Sequence, residues 1–377
     1  MKIRVALIAL ALPFAAEASD GKFPGAGIDY NNVVQYDFSR LTTGGQPHTI
    51  TSDGYLDITS VAHFRFTPES EIWLGTEISP VVPVPPGQRR WVGGTGLNVT
   101  DLNYYYQGHD STFRIGKYEV PFGRAQDAAP GLYTGNFVSA YDLAGVIGGN
   151  YEYRFYTDSL GIIAPAVSTY FADTSVLSKS FFRPSSQARR SDGGSTNTGK
   201  FNNYAVVVNW LAPEAIPYLE VQVGYMSNHK GEPFAPSPPD PPQIAANENL
   251  RTVSLRYMLP FTSTTDLGTT LSGHYVDIVP FVEYVKVDNE GGVAGMDTSY
   301  LTTSLTVDYG RWAYGVTRTY KSIDPSGASR SDEYVAEASV VYHLTGLIDV
   351  AVSGGRGKQG GSTSNLFGVA FAFNGAF

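Results

Sequence analysis

Apolar and polar residues alternate with a period of two along much of the chain. In one segment the apolar positions are Tyr204, Val206, Val208 and Trp210, with smaller or more polar residues between them. The same alternation returns at 219–226, 253–258 and 302–309. Because successive side chains of a β-strand point to opposite faces, this period predicts strands with one apolar face and one polar face.

Aromatic residues end many of these apolar faces, next to a turn. Trp210 precedes Leu211-Ala212-Pro213, and Tyr309 and Trp312 flank Gly310-Arg311. A soluble β-sandwich also alternates, but its outer face is polar and its inner face is a dry core. Aromatic residues at the ends of apolar strands are typical of the girdles of transmembrane barrels. The pattern therefore favours a barrel in a membrane.

Short and long connections alternate between the strands. The short ones are 67–70, 108–111, 157–159, 212–217, 309–311 and 345–346. The long ones are 79–96, 120–148, 172–202, 228–247 and 288–298. Short periplasmic turns and long extracellular loops are expected of an outer-membrane barrel. Hairpin counting predicts an all-β fold, a transmembrane antiparallel β-barrel of about 16 strands, with about 14 to 18 as the range because Leu259 to Tyr275 could hide a strand pair.

The first residues have the features of a secretory signal peptide. Lys2 and Arg4 precede the apolar run Val5–Phe14, and Ala16-Glu17-Ala18 fits a cleavage site. This run is shorter than the roughly 20 apolar residues of a membrane-spanning helix. We therefore expect residues 1–18 to be a signal peptide and residues 19–377 to form a single barrel.

Composition argues against several kinds of site and partner. The chain has 0 Cys, which excludes a cysteine-linked lipid anchor, a disulfide framework and a thiolate metal site. The formal net charge is -9 and no basic cluster is interleaved with aromatics, so nucleic acid is not an expected partner. The 6 His are scattered without metal-ligand spacing. No metal and no cofactor are expected.

Charged residues on the polar faces are candidates for the wall of a pore, because a charge facing lipid near the membrane midplane costs about 2–4 kcal/mol. Opposite charges across one lumen set its ion preference. The candidate wall residues are Arg65, Asp101, Arg114, Glu152, Arg154, Glu220, Arg256, Glu283 and Glu337.

The stretch Gly116–Gly123 reads Gly-Lys-Tyr-Glu-Val-Pro-Phe-Gly and leads into a long loop. It resembles a motif of the phosphate-selective and related substrate-specific porins, where it precedes a third extracellular loop that folds into the lumen. Pro121 ends strand pairing, and Gly123 permits a turn. The resemblance implies that the loop at about 120–148 folds inward. It implies that the constriction is lined by Arg124, Asp127, Tyr133, Asn136, Tyr141 and Asp142.

The loop at about 120–148 carries few basic residues. A loop that holds phosphate should carry several Arg or Lys, and between Val120 and Gly148 only Arg124 qualifies. Phosphate selectivity is therefore not expected. The alternative path, in which the loop lies over the outside of the barrel, stays open at this point.

The last segment alternates up to the final residue. Phe367, Val369, Phe371 and Phe373 share one face, and the chain ends at Phe377. This resembles the C-terminal assembly signature of bacterial outer-membrane proteins, in which a terminal aromatic ends an alternating strand. The resemblance implies that Phe377 is an assembly signal for the barrel-assembly machinery.

Together these patterns predict a porin of the bacterial outer membrane, a passive channel for ions and small hydrophilic solutes and not an enzyme. Its other expected partners are outer-membrane lipid and lipopolysaccharide, and the family resemblance implies a homotrimer. One alternative is a substrate-specific channel or a receptor for an anionic ligand such as phosphate or a siderophore. It is favoured by one basic loop, which contains Arg183, Arg189, Arg190 and Lys200. A second alternative is an outer-membrane enzyme that uses Ser339 and His343, although four strand positions separate them by roughly 13 Å.

Overall fold

The computed structural model describes residues 23–42, 49–182, 187–232, 245–262 and 275–376. They form a closed antiparallel β-barrel of 16 strands. The strands are β1 Gly25–Thr42, β2 Thr49–Thr67, β3 Ser70–Pro80, β4 Thr95–Gln107, β5 Ser111–Tyr118, β6 Val146–Tyr153 continued by Phe155–Thr157, β7 Gly161–Ala172, β8 Asn203–Leu211, β9 Leu219–Asn228, β10 Glu248–Tyr257 continued by Leu259–Thr262, β11 Tyr275–Asp288, β12 Met296–Tyr309, β13 Trp312–Pro325, β14 Ser331–His343, β15 Ile348–Gln359 and β16 Ser362–Ala376.

Neighbouring strands pair in chain order, and β1 closes the barrel by pairing with both β2 and β16. Gln35 stands opposite Tyr55 on one side and Ala370 on the other. The stretch after Leu259, which the sequence left open, continues β10, since Thr262 pairs with Tyr275 of β11. The two strands therefore form one hairpin. Residues 1–22, with the expected signal peptide, and Phe377 lie outside the described residues.

Among the residues that the structure describes, helical structure is confined to the loops. Two short helices, α1 Ala125–Ala128 and α2 Thr134–Val138, lie between β5 and β6. Single 3-10 turns occur at Val176–Ser178, Arg190–Asp192 and Glu290–Gly292, and the short strand Arg89–Trp91 runs parallel to β2. Among the described residues, no helix is long and apolar enough to cross a membrane.

The two faces of the barrel wall differ as the alternation predicts. Val206 and Val223 face outward and expose 39 % and 53 % of their surface, whereas their neighbours Val207 and Gln222 expose 1 % and 4 %. Directly paired residues of adjacent strands share a face, so the apolar outer stripe continues around the barrel. The outer belt is the surface that would contact lipid.

The inner face contains an apolar core, which the sequence did not predict. Tyr118, Val120, Phe122, Val138 and Tyr141, from β5 and the loop behind it, are all at least 96 % buried. They pack against inward-facing side chains of five strands, Val207, Met226, Leu250, Phe281, Val285 and Tyr300. These inward-facing residues are apolar, although a polar inner face was expected, because a loop and not water covers them.

Candidate pore constriction

The loop between β5 and β6 crosses the inside of the barrel. At its base the backbone N–H of Val120 donates to the carbonyl of Leu143 at 3.0 Å, which brings the two ends of the loop together. At its far side the carbonyl of Pro130 accepts a hydrogen bond from the hydroxyl of Thr317, on β13, at 2.6 Å. Strand β13 lies opposite β5 in the closed order of strands. The loop therefore spans the lumen, and the path over the outside does not occur.

The first anchor of the loop is Glu283 on β11. Its carboxylate accepts the backbone N–H of Arg124 at 2.5 Å and that of Ala125 at 3.2 Å, at the start of α1. The hydroxyl of Tyr141 donates to the same carboxylate at 2.7 Å. Burial and the adjacent Glu283 carboxylate raise the pKa of Tyr141, so the phenol stays protonated and can donate. Gly123 has φ +79°, a conformation that favours glycine, just where the chain turns toward this carboxylate.

The second anchor is Glu337 on β14, which meets the start of α2. Its carboxylate accepts the N–H groups of Leu132 at 2.9 Å and Thr134 at 2.7 Å, and a further bond from the Tyr133 N–H. The Thr134 hydroxyl also donates to it. A Cβ at Gly131 would lie 2.1 Å from the carboxyl carbon of Glu337, so only glycine permits this approach.

The two anchors revise part of the predicted site. Glu283 and Glu337 face the inside of the barrel, but they expose only 1 % and 5 % of their surface. Free pore-wall carboxylates would be open to water, whereas these are covered by the loop and bonded to it. They are positioning residues for the loop, because charge-assisted bonds to several N–H groups satisfy both carboxylates.

The predicted constriction residues fall into two groups. Tyr141 is 4 % exposed and lies in the core, so it does not face the lumen. Tyr133 points to the wall, where its hydroxyl donates to Asp37 of β1 at 3.3 Å. Asn136 is exposed on α2, and its carbonyl accepts the hydroxyl of Ser139. The remaining three, Arg124, Asp127 and Asp142, line an open cavity of about 620 Å³.

This cavity lies between the loop and one side of the barrel wall. From the wall it is lined by Trp73, Asp101, Arg114, Asn209, Glu220 and Gln222, and from the loop by Glu119, Arg124, Asp127 and Asp142. Three of the predicted wall residues, Asp101, Arg114 and Glu220, are thus brought to the same space as the loop. Together the carboxylates outnumber the guanidinium groups five to two.

Two arrangements hold the arginines of the cavity. Glu220 forms an ion pair with Arg124 of the loop and another, at 3.0 Å, with Arg256 of β10. Arg114 instead lies over the rings of Trp73 and Tyr105, at 5.1 Å and 5.3 Å from their centroids. Glu220 therefore offsets one of the two positive charges of Arg124 and Arg256, and Arg114 is held by aromatic contact.

Glu119 is a functional candidate that the sequence reasoning missed. Its side chain lines the cavity beside Asp142, Asp127 and Asp101. Enclosure in the lumen, together with these neighbouring carboxylates, raises the pKa of Glu119 to about 8, and the pKa of Asp142 is raised as well. A signal was present, because Glu119 sits inside the motif Gly116–Gly123. Trp73 could also have been found, since it alternates with the outward residues Ile72 and Leu74.

The other predicted wall residues lie away from the loop. Arg65 pairs with Glu71 at 2.9 Å, and Arg154 pairs with Glu152 at the same distance. The backbone N–H of Arg154 also bonds to Asp110, in a short turn at the opposite end of the barrel from the loop. These ion pairs lie on the inner face, where they do not line the cavity described above.

The residues of the enzyme alternative are not assembled into a hydrolase site. His343 contacts Asp349 of the neighbouring strand at 2.7 Å. Ser339 stands opposite Ser353 of β15, whereas His343 stands opposite Asp349 at the other end of the same pairing. Within the described residues, no group of three or more His, Asp or Glu side chains is placed to hold a metal ion.

Comparison with known proteins identifies the fold. No protein-family model and no curated protein matches the chain. Among solved structures, OprB of Pseudomonas putida aligns with a TM-score of 0.58 and 12 % identity, over 93 % of this chain and 94 % of that one. The anion-selective porin from Comamonas acidovorans gives a TM-score of 0.54 at 9 % identity, over 93 % and 100 % of the two chains. The outer membrane channel DcaP of Acinetobacter baumannii gives 0.52 at 9 %, over 93 % and 98 %.

Likeness at such low identity shows the fold alone. The chain has the fold of the outer-membrane porins, a closed antiparallel β-barrel of 16 strands. Membership of the phosphate-selective family, suggested by Gly116–Gly123, stays a prediction.

Proposed function

We propose that the protein is a passive, water-filled channel for ions and small hydrophilic solutes across the bacterial outer membrane. One observation carries this proposal: a loop held across the lumen by Glu283 and Glu337 leaves an open cavity lined by charged side chains. A fixed loop inside an otherwise wide barrel narrows the path without closing it. The loop residues Arg124, Asp127 and Asp142, with Glu119, then form the constriction.

The charges of the cavity favour the passage of cations. Glu220 with Arg124 and Arg256 forms an ion-paired group that keeps a single positive charge. Asp101, Asp127 and Asp142 outweigh this charge and that of Arg114, and Glu119 adds a fourth negative charge above about pH 8. A net negative lining attracts cations and repels anions, since the local dielectric in a narrow pore is lower than in bulk water. This lining speaks against the alternative of a channel for phosphate or another anion.

Bilayer recording tests the proposal directly. The purified protein, refolded and inserted into a planar bilayer, should give discrete, voltage-independent conductance steps at low voltage. In a roughly tenfold KCl gradient the reversal potential should have the sign of potassium selectivity. Absence of conductance steps from protein that shows heat-dependent mobility in SDS would exclude a channel. A reversal potential of chloride sign would leave the channel but refute the charge argument.

A homotrimer remains part of the proposal. The test is the oligomeric state of the protein in mild detergent, measured by sedimentation. A monomer under these conditions, with intact conductance, would remove the trimer without affecting the pore.

A further inference from the structure

Three arginines on the lipid-facing side of the barrel lie in one row across five adjacent strands. Arg318 of β13 stands opposite Ala336 of β14, which stands opposite Arg356 of β15. Arg356 stands opposite Asn365 of β16, and Asn365 stands opposite Arg40 of β1. Because neighbouring strands are about 4.8 Å apart, successive arginines of the row are roughly 10 Å apart along the backbone.

The row faces outward, as its neighbours show. Val316 and Tyr314 precede Arg318 on the same face and are 52 % and 44 % exposed. Phe367, two positions from Asn365, is 46 % exposed. All three arginines are exposed, while Glu337, on the other face of β14, is buried under the loop inside the barrel. The guanidinium groups therefore belong to the surface that meets lipid.

Nothing on the neighbouring positions neutralises these charges. On each of the five strands, the residues two positions before and after the row share its face, and none of them is Asp or Glu. These positions are 316, 320, 334, 338, 354, 358, 363, 367, 38 and 42. One of them adds a further base, Lys358, opposite Tyr334. Within the described residues, the side chains of Arg40, Arg318 and Arg356 form no hydrogen bond or ion pair. The guanidinium of Arg318 lies over the ring of Tyr334, 5.9 Å from its centroid.

The depth of Arg318 places it in the half of the membrane on the side of the long loops. Arg318 lies six positions from Trp312, the aromatic residue at the end of β13 with the short turns. With a rise of about 3.3 Å per residue and a tilt of about 40°, this puts its Cα roughly 15 Å above Trp312 in an apolar band about 25 Å tall. A long arginine stem reaches from there toward the headgroups on the side of the long loops.

Other outward-facing basic residues are paired with carboxylates of this chain. Arg251 pairs with Asp288 at 2.9 Å, and Lys286 approaches Asp297 at 4.0 Å, on the same outer face of β10 to β12. Where the barrel itself provides a carboxylate, the base is paired within the chain. At the row of Arg40, Arg318 and Arg356 the anion has to come from outside the chain.

We propose that Arg318, Arg356 and Arg40, with Lys358, bind the phosphate groups of lipopolysaccharide in the outer leaflet. Planar guanidinium groups bind phosphate oxygens in a bidentate manner, and their spacing allows one bisphosphorylated lipid to bridge two of them. A shallow groove of about 540 Å³ is lined by Arg318, by the small residues Ala336, Ala338 and Gly354, and by the apolar outward residues Leu305 and Val316. Small side chains there leave room for an acyl chain of the same lipid.

The test measures binding of bisphosphorylated lipid A to the folded barrel in dodecyl maltoside, by native mass spectrometry or by the rise in unfolding temperature. The variant Arg318→Gln with Arg356→Gln should bind lipid A about tenfold more weakly. Arg251→Gln with Lys286→Gln removes the same charge from bases that are already paired, and should bind as the wild type does. Dephosphorylated lipid A should bind weakly to every variant.

Two results would overturn the proposal. Equal lipid A affinity of the Arg318/Arg356 variant and the wild type would show that the row does not bind phosphate. A changed sedimentation coefficient with unchanged lipid A binding would show that the row contacts a second copy of the chain instead. Arg318→Lys with Arg356→Lys keeps both charges and covers the case in which the glutamine variant does not fold. It should lose affinity about threefold, because an ammonium group cannot form the bidentate contact.

Discussion

Glu337 accepts the backbone N–H of Thr134 at 2.7 Å, across 203 positions of sequence. The contact places a carboxylate at the positive end of a short helix, where several N–H groups have no partner within the helix. Glu283 does the same for the first helix of the loop. Two buried carboxylates thus hold both helices of the loop in place.

Loss of an anchor should loosen the loop. Glu337→Gln removes the charge from the carboxyl group, and each charge-assisted hydrogen bond contributes about 1.5–3 kcal/mol. We expect noisier single-channel current with more frequent substates, and Glu283→Gln should do the same. Glu152→Gln, which changes an inner-face carboxylate bonded to Arg154 and not to the loop, is the matched control. Unchanged current noise in both anchor variants would show that the carboxylates do not hold the loop.

Charges of the loop should control permeation more than charges of the outer loops. Neutralising Arg124 should shift selectivity toward cations, because Glu220 then keeps only Arg256 as its counterion. Neutralising Asp127 should shift it toward anions. One charge in a partly desolvated pore contributes on the order of a kcal/mol to the barrier. The measurement is the reversal potential in asymmetric salt.

The exposed pair Arg189 and Arg190 provides the comparison for that experiment. Both lie in the loop between β7 and β8, and charges more than a Debye length of roughly 8 Å from the constriction are screened at physiological salt. Their double replacement by Gln should leave the reversal potential nearly unchanged. A clear shift there, with no shift for the Arg124 and Asp127 variants, would show that the loop does not form the constriction.

Removal of Phe377 should impair assembly and leave conduction intact. The preceding strand β16 ends at Ala376 and closes the barrel against β1. The truncated protein should reach the outer membrane in lower folded yield, measured as the heat-modifiable fraction in SDS, while the channels that do form should conduct normally. Wild-type folded yield would refute the assembly role.

The fold could be predicted because its signal is local. A period of two fixes the face of each residue from its immediate neighbours, so Val206 and Val207 could be assigned to opposite faces without knowledge of the barrel. The alternation of short and long connections then fixed the ends of the strands. The continuation of β10 after Met258 is an exception. It is defined by pairing with β11, which sequence spacing alone does not reveal.

The site was less predictable because its contacts are distant in sequence. Glu283 and Glu337 alternate like any other inner-face residue, and nothing near them in sequence shows that a loop from 158 or more positions away would cover them. The inward apolar residues Met226 and Phe281 were a usable hint, since an aqueous lumen gives them no partner. Their apolar character is explained by the loop that packs on them.

The constriction should respond to pH through Glu119. The carboxyl of Glu119 adjoins Asp142, Asp127 and Asp101, with Arg114 on the wall of the same cavity, and its pKa is raised to about 8. A carboxyl with a raised pKa is neutral below that pH and negative above it. Cation selectivity should therefore increase as the pH rises through about 8, and Glu119→Gln should remove this step while keeping the neutral hydrogen-bonding group.

Reversal potentials in a KCl gradient between about pH 6 and pH 10 measure this effect. Glu152→Gln, at a carboxylate paired with Arg154 away from the loop, should keep the wild-type pH profile. If the step in selectivity persists in Glu119→Gln, another group of the cavity titrates. If the wild type shows no step at all, the carboxylates of Asp101, Glu119, Asp127 and Asp142 are already fully charged at neutral pH. The second outcome would leave a cation-selective pore whose selectivity does not depend on pH, because lumen water would then solvate Glu119 well enough to offset its acidic neighbours.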